Sequence, residues 1–184
     1  MADDMLIIEE LERTVPALTQ WRSAGERGVN WSVIEGELGA SLPPDYRALA
    51  DHYPTLLIDD FMVVTLPTPK RELDFVSGVR ETSEILQDLL EVDESHGYAP
   101  FPEENGLLGW GSSLSGDQFY WQVGSTDDPG AWRVVVSGRN DDWWTFEGGV
   151  VEFLVAALGR NIDLPGLPSS FPTSPPEVKG IEHR

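Results

Sequence analysis

Apolar residues near the start of the chain recur at helical spacing. Ile8, Leu11, Val15, Leu18 and Trp21 fall three or four positions apart and predict one amphipathic face. Pro16 interrupts that run. Because proline lacks an N–H and clashes with the preceding turn, two short helices or one bent helix are expected between Asp3 and Ala24. After the turn Gly25-Glu26-Arg27-Gly28, Trp31, Ile34 and Leu38 share a helical face. Ser32 and Glu35 there stand in capping-box register, and Gly39 is a natural C-terminal stop. Asn30-Trp31-Ser32 also matches a glycosylation sequon, for which a helix start is the better account. Pro44 in Leu42-Pro43-Pro44-Asp45-Tyr46 suits the first position of a further helix, with Tyr46, Leu49, Ala50 and Tyr53 facing inward.

The period then changes. Phe61 to Leu66 is a short β-rich run between Asp59-Asp60 and Pro67 and predicts a strand. Thr82 to Glu94 carries Ile85, Leu86, Leu89 and Leu90 and predicts a helix with an acidic outer side, followed by a Gly/Pro loop from His96 to Asn105. Three strands are predicted at 107–111, 119–123 and 132–136, with Phe119, Trp121 and Val123 on one face and Trp132, Val134 and Val136 on one face. Trp143 to Phe146 adds a short fourth. The connectors at 112–117 and 125–130 are too short for a parallel crossover, so an antiparallel meander follows. Val150, Phe153, Leu154, Ala157 and Leu158 then define a closing helix that Gly159 ends. Residues 161–184 read as an extended Pro-rich C-terminal tail in which Leu164, Leu167 and Phe171 are able to dock. The expectation is one α+β domain at residues 1–160, its first 28 residues a helical N-terminal extension. Its helices pack on one face of the antiparallel meander sheet, N-terminal helices before it and one helix after.

Composition narrows the chemistry. With 184 residues, 40% of them hydrophobic, the chain can bury a sizeable core and is not disordered throughout. The absence of Cys excludes disulfide scaffolds, thiolate metal sites and a Cys nucleophile. No apolar run approaches the ~20 residues that cross a bilayer. The start Met1-Ala2-Asp3-Asp4 is acidic where a signal peptide is basic, so a soluble cytoplasmic protein without a membrane partner is expected. The 32 Asp and Glu against 12 Lys and Arg give a net charge of -20. That charge disfavours direct nucleic-acid binding and favours basic partners; it serves solubility equally well.

Several separated features coincide in order and spacing. Trp31-Ser32-Val33-Ile34-Glu35 and Leu38-Gly39 lead into Leu42-Pro43-Pro44-Asp45-Tyr46. A strand containing Trp110, a Gly116-Asp117 turn, the aromatic strand Phe119-Tyr120-Trp121 and a closing helix with Val151-Glu152-Phe153-Leu154 follow. From about Trp31 to Leu158 this resembles the SUKH superfamily, the Smi/Knr-type domain. The Leu-Pro-x-Asp-Tyr junction is its most specific element; the N-terminal helices and the Pro-rich tail depart from it. The resemblance implies a compact α+β binding domain and not an enzyme. Bacterial members look like immunity proteins that neutralise a delivered toxin, nucleases and deaminases included; others are regulatory or scaffold domains, as in fungal cell-wall regulation. It implies a mainly structural role for Trp31, Leu42, Pro43, Tyr46, Trp110 and Gly116.

Candidate chemistry is sparse. Adjacent carboxylates stand at Asp59-Asp60, Glu103-Glu104, Asp127-Asp128 and Asp141-Asp142. With 32 acids such pairs arise by chance, and no His-x-His or His-Glu-x-x-His accompanies them, so no metal is expected. Gly111-Ser112-Ser113-Leu114-Ser115 misses the final glycine of a nucleophile elbow, and the only downstream histidine is His183. His52 and His96 read as capping or surface residues. Neither phosphate-binding glycine pattern is present, and Lys70 and Lys179 are the only lysines, so no nucleotide cofactor is expected. Trp143-Trp144 differ from the other tryptophans, because neighbours on a strand face opposite ways. One ring exposed beside Asp141-Asp142 has the makeup of an interface anchor; burial of both between sheet and tail is the competing account. The candidate partner-binding residues are therefore Asp59, Asp60, Asp127, Asp128, Asp141, Asp142, Trp143 and Trp144. The function expected is non-catalytic binding of a protein partner, a basic toxin domain or an endogenous regulatory partner.

Overall fold

Pro16 divides the N-terminal apolar run: helix α1 covers Ala2–Thr14 and a 3-10 turn follows at Pro16–Trp21. The computed structural model describes residues 2–182. Helices α2 (Trp31–Leu38) and α3 (Pro44–His52) precede strands β1 (Thr55–Ile58) and β2 (Met62–Val64). Helix α4 (Glu72–Glu91) leads to β3 (Leu107–Ser113), β4 (Gln118–Gln122), β5 (Arg133–Ser137) and β6 (Trp143–Phe146). Helix α5 (Val150–Leu158) and strand β7 (Val178–Ile181) complete the order. The seven strands pair antiparallel in the order β6-β5-β4-β3-β2-β1-β7. The α+β class and the antiparallel meander are as the sequence predicts. Among the described residues no helix is long and apolar enough to cross a membrane.

Local chemistry explains the element ends. Asn30, not Ser32, caps α2: its side-chain oxygen accepts from the Val33 N–H at 3.4 Å. Glu35 is thereby released from the expected capping box, and it accepts from the Leu42 N–H at 3.1 Å and pairs with Arg47 at 3.2 Å. Pro44 does open α3. Helix α4 begins ten residues before the predicted Thr82. Its buried residues Phe75, Val76 and Val79 face one cluster and Leu86 another, so no single stripe marks its full length.

The two sheet faces are filled differently. Phe119, Trp121, Val134 and Val136 point into the main core with residues of α1, α3 and α5. Phe153 of α5 lies among Trp110, Phe119, Trp144 and Phe146, with its ring centroid 5.6–6.1 Å from theirs. The alternate residues Leu107, Tyr120 and Val135 face the opposite side and meet Leu86 of α4. Helix α4 thus extends the expected arrangement by covering part of the second face. It approaches β3 closely because Gly109 has no side chain, and a Cβ there would lie 2.7 Å from Thr82 Cγ2.

The Pro-rich segment is tied down rather than trailing. Asp59, in the β1–β2 turn, accepts from the Thr173 N–H at 2.7 Å, the Thr173 hydroxyl at 2.6 Å and the Glu177 N–H at 2.8 Å. Phe171 packs on Phe61 with centroids 4.8 Å apart. The Trp21 indole N–H donates to the Val178 carbonyl at 3.0 Å, and β7 pairs along β1.

Two outcomes test these contacts. Gly109→Ala, by forcing a methyl against α4, lowers unfolding free energy by about 1–3 kcal/mol in urea titration, and Thr82→Ser, which deletes the opposing methyl, restores part of the loss. Burial alone disfavours the Glu72 carboxylate, but the N–H groups of Asn30 and Lys70 donate to it at 2.9 and 3.2 Å. Together with its own amide they hold its carboxyl below the usual glutamate range. A folded pKa below the unfolded one gives stability that is present above about pH 4.3 and lost as pH falls through the folded value. Glu72→Gln therefore flattens this part of the acid-unfolding curve, read by circular dichroism.

Candidate functional site

Successive turns of a meander alternate between the two ends of a sheet, and this separates the predicted acidic pairs. Asp59-Asp60 and Asp141-Asp142 lie at one end, in the β1–β2 and β5–β6 turns, whereas Asp127-Asp128 lie at the other, between β4 and β5. Asp59 and Asp60 both adopt positive φ, 54° and 49°. Their carboxylates serve the chain itself: Asp59 holds the C-terminal segment, and Asp60 accepts from Lys179 Nζ at 2.5 and 2.7 Å. Asp127 and Asp128 are exposed. Asp142 lies against Gly166, where a Cβ would come within 2.7 Å of its side chain. The eight candidates therefore do not form one surface.

Trp143 and Trp144 do face opposite ways. Trp144 joins the main core beside Phe153, at 6.1 Å, and its indole N–H donates to the Pro165 carbonyl at 3.0 Å. Trp143 lies on the α4 side, nearly parallel to three other rings: Tyr98 at 5.3 Å and 17°, Tyr120 at 6.3 Å and 6°, and His96 at 5.6 Å and 28°. His96 Nε2 stands 2.8 Å from Asp141 Oδ1, so the α4–β3 loop is pinned to the β5–β6 turn across this stack. His96 is thus a surface histidine, as expected, and one with a carboxylate partner.

Where α4 ends, the second sheet face is left open, and a cavity of about 510 Å³ remains. Tyr120 and Trp143 belong to its sheet side, Ile85 and Leu89 to its helix side, and Asp93, Glu94, Arg139 and Asp141 also line it. Tyr120 is 1% exposed, and its hydroxyl has no hydrogen-bond partner among the described residues. Burial pushes its phenol well above the usual range, so it stays protonated at neutral pH. Ser95, between two lining residues, has a second buried hydroxyl without a partner there.

The other features are more self-contained. A second cavity of about 280 Å³ lies between α4 and β1–β3. There Thr55 Oγ1 is already bonded to the Leu66 carbonyl and N–H at 3.0 Å each, and Arg71 Nε to Asp74 at 2.7 Å. The near-elbow serine, Ser113, donates to the Asp117 carboxylate and accepts from the Ser115 and Asp117 N–H groups. That bonding builds the β3–β4 turn. Its conceivable base, His183, lies outside the described residues. Among the described residues no group of three or more His, Asp or Glu is placed to hold a metal ion.

Compared with known proteins, the chain matches no protein-family model, no curated protein and no solved structure.

The cavity draws only Asp141 and Trp143 from the predicted set. Tyr120 was in reach of the sequence, since alternation within Phe119-Tyr120-Trp121 puts its ring on the face opposite the core pair. Ile85 and Leu89 lie on the helix predicted from Thr82 to Glu94, whereas His96 and Arg139 lie in loops whose approach to one another no local pattern states. The two tryptophans should separate on substitution. Trp144→Ala lowers unfolding free energy by about 2–4 kcal/mol. Trp143→Ala instead speeds amide exchange in residues 93–98, with the α5 amides unchanged, as followed by hydrogen–deuterium exchange.

Proposed function

We propose that this chain is a SUKH-type, non-catalytic binding domain that acts as an immunity protein, neutralising a basic toxin domain by stoichiometric docking in the cytoplasm. The observation that supports this best is the cavity beside Trp143. Stacked rings form one side of it, carboxylates of Asp93, Glu94 and Asp141 stand around it, and the whole molecule carries a charge of -20. Aromatic surface that loses water on contact supplies slow dissociation. Carboxylates around it, and those of the exposed Asp127 and Asp128, raise the rate at which a cationic partner arrives. No bond need be made or broken, because occupying the partner's basic surface is enough to exclude its own anionic substrate.

The test uses the intact purified chain as bait in the cells that produce it. A cationic protein retained at a one-to-one ratio is expected. Its toxicity should disappear on co-expression, and its association rate should fall roughly tenfold as salt shortens the screening length from about 10 Å to a few ångströms. A retained regulatory protein without toxicity would keep the docking and replace the immunity role. An association rate indifferent to salt would remove the steering, and multiple-turnover product formation by the purified chain would overturn the whole reading.

A further inference from the structure

Large apolar side chains exposed singly are ordinary on a protein surface, whereas a contiguous row of them marks a contact surface. Helix α4 carries such a row. Leu89 stands four positions after Ile85, and Val92 three further on, just past the last turn. Ile85 is 53% and Val92 63% exposed, and Leu89 is half-buried. The row lies off the face that α4 buries, where Val79 and Leu86 join the core clusters.

The shape of the opening beside this row is that of a helix. Ile85 and Leu89 form the helix side of the cavity over β4–β6, and Trp143, itself only half-buried, belongs to the sheet side. Three strands spaced about 4.8 Å apart span about 10 Å, the diameter of one helix with its side chains. From Ile85 to Val92 the row rises about 10 Å, or two helical turns. Two turns of one further helix, lying beside α4, match both dimensions.

Charge selects which helix. Glu81 and Asp88, both exposed, stand one turn before and one turn after Ile85, and the exposed Asp93 follows Val92. A second copy of the chain would bring the same carboxylates and a second charge of -20 against them, and an anionic lipid surface repels them too. A helix with lysine or arginine beside its apolar stripe meets them with the opposite charge, and the stems of those residues lengthen the apolar contact.

Deepening the docking function proposed above, on which this rests, we infer that the row formed by Ile85, Leu89 and Val92, with Trp143 opposite, receives a cationic amphipathic helix of the protein partner, laid along α4 over strands β4–β6. The apolar row sets where the helix lies, and the carboxylates set the charge it must carry.

The probe is a peptide of leucine and lysine alone, its leucines at i, i+3, i+4 and i+7, titrated into the full-length nitrogen-15-labelled chain. Saturable shifts of the Trp143 indole N–H and of the amides at 85–93 are expected. A peptide of the same composition with its leucines scattered around the helix should bind severalfold more weakly, and one with glutamate in place of lysine should not bind. Ile85→Gln and Val92→Gln should each weaken binding about fivefold with little change in melting temperature. Leu6→Gln, at a position 59% exposed on α1, should leave it unchanged. Shifts centred elsewhere, equal affinity for the scattered peptide, no saturable binding, or an Ile85→Gln chain that binds as tightly as its parent would each overturn the assignment. So would a dimer of the free chain that Ile85→Gln dissociates in sedimentation, which would give the row to a second copy. Docking itself fails by a different measurement, multiple-turnover product formation; a protein partner whose retention survives Ile85→Gln combined with Val92→Gln would keep that function and remove this surface.

Discussion

One buried tyrosine joins the helical layer to the sheet. The Tyr46 hydroxyl donates to the Thr65 carbonyl at 2.6 Å, just beyond β2, and its ring stands edge-on to Trp121 at 4.7 Å and 88°. Full burial raises its phenol well above the usual range, so the donor is present at neutral pH. The residue before it works in the opposite direction. Asp45 Oδ2 accepts from the Val151 N–H at 3.0 Å in the first turn of α5, where a carboxylate is favoured by the helix dipole. Gly149 admits that carboxylate, since a Cβ there would lie 2.5 Å from it. Leu-Pro-Pro-Asp-Tyr is therefore a physical junction: proline starts α3, the aspartate fixes α5 and the tyrosine fixes the sheet.

That junction decides where a site can form. With α1, α3 and α5 committed to one face, the second face is covered among the described residues by α4 and the loop after it. The helix is drawn tightly onto β3 at Gly109, which leaves β4–β6 beyond its last turn less covered. Tyr120 and Trp143 face that side because their neighbours along the strands, Trp121 and Trp144, are taken by the core. The cavity is a by-product of how the core was filled, and its acidic lining comes from the two loops that border it.

Most of the architecture was legible from periodicity. The kink at Pro16, the start of α3, strands β3–β6 and helix α5 each follow from a pattern of side chains within a few residues. The losses share a cause, which is that their determinants are distant in sequence. Strand β1 is too short to declare itself beside Pro54. Helix α4 divides its apolar residues between two surfaces, Phe75, Val76 and Val79 on one and Leu86 on the other. Strand β7 exists because Asp59 and the β1 edge receive it, and the segment itself contains little beyond Val178 and Ile181 to show it. The site was legible only in part. Adjacent acids were conspicuous, yet Asp59 and Asp60 hold the chain's own end, while Tyr120 looked like one more core aromatic.

The pairing of Ile58 with Val178 also has a consequence for how the protein is made. A ribosome releases β1 long before β7 has been translated, and during that interval the outer backbone groups of β1 have nothing to bind. An unpaired strand edge is a template for any neighbouring chain, so nascent copies on one polysome are exposed to mutual pairing until Asp59 captures the arriving segment. The three amide and hydroxyl bonds to that carboxylate fasten the segment that covers this edge.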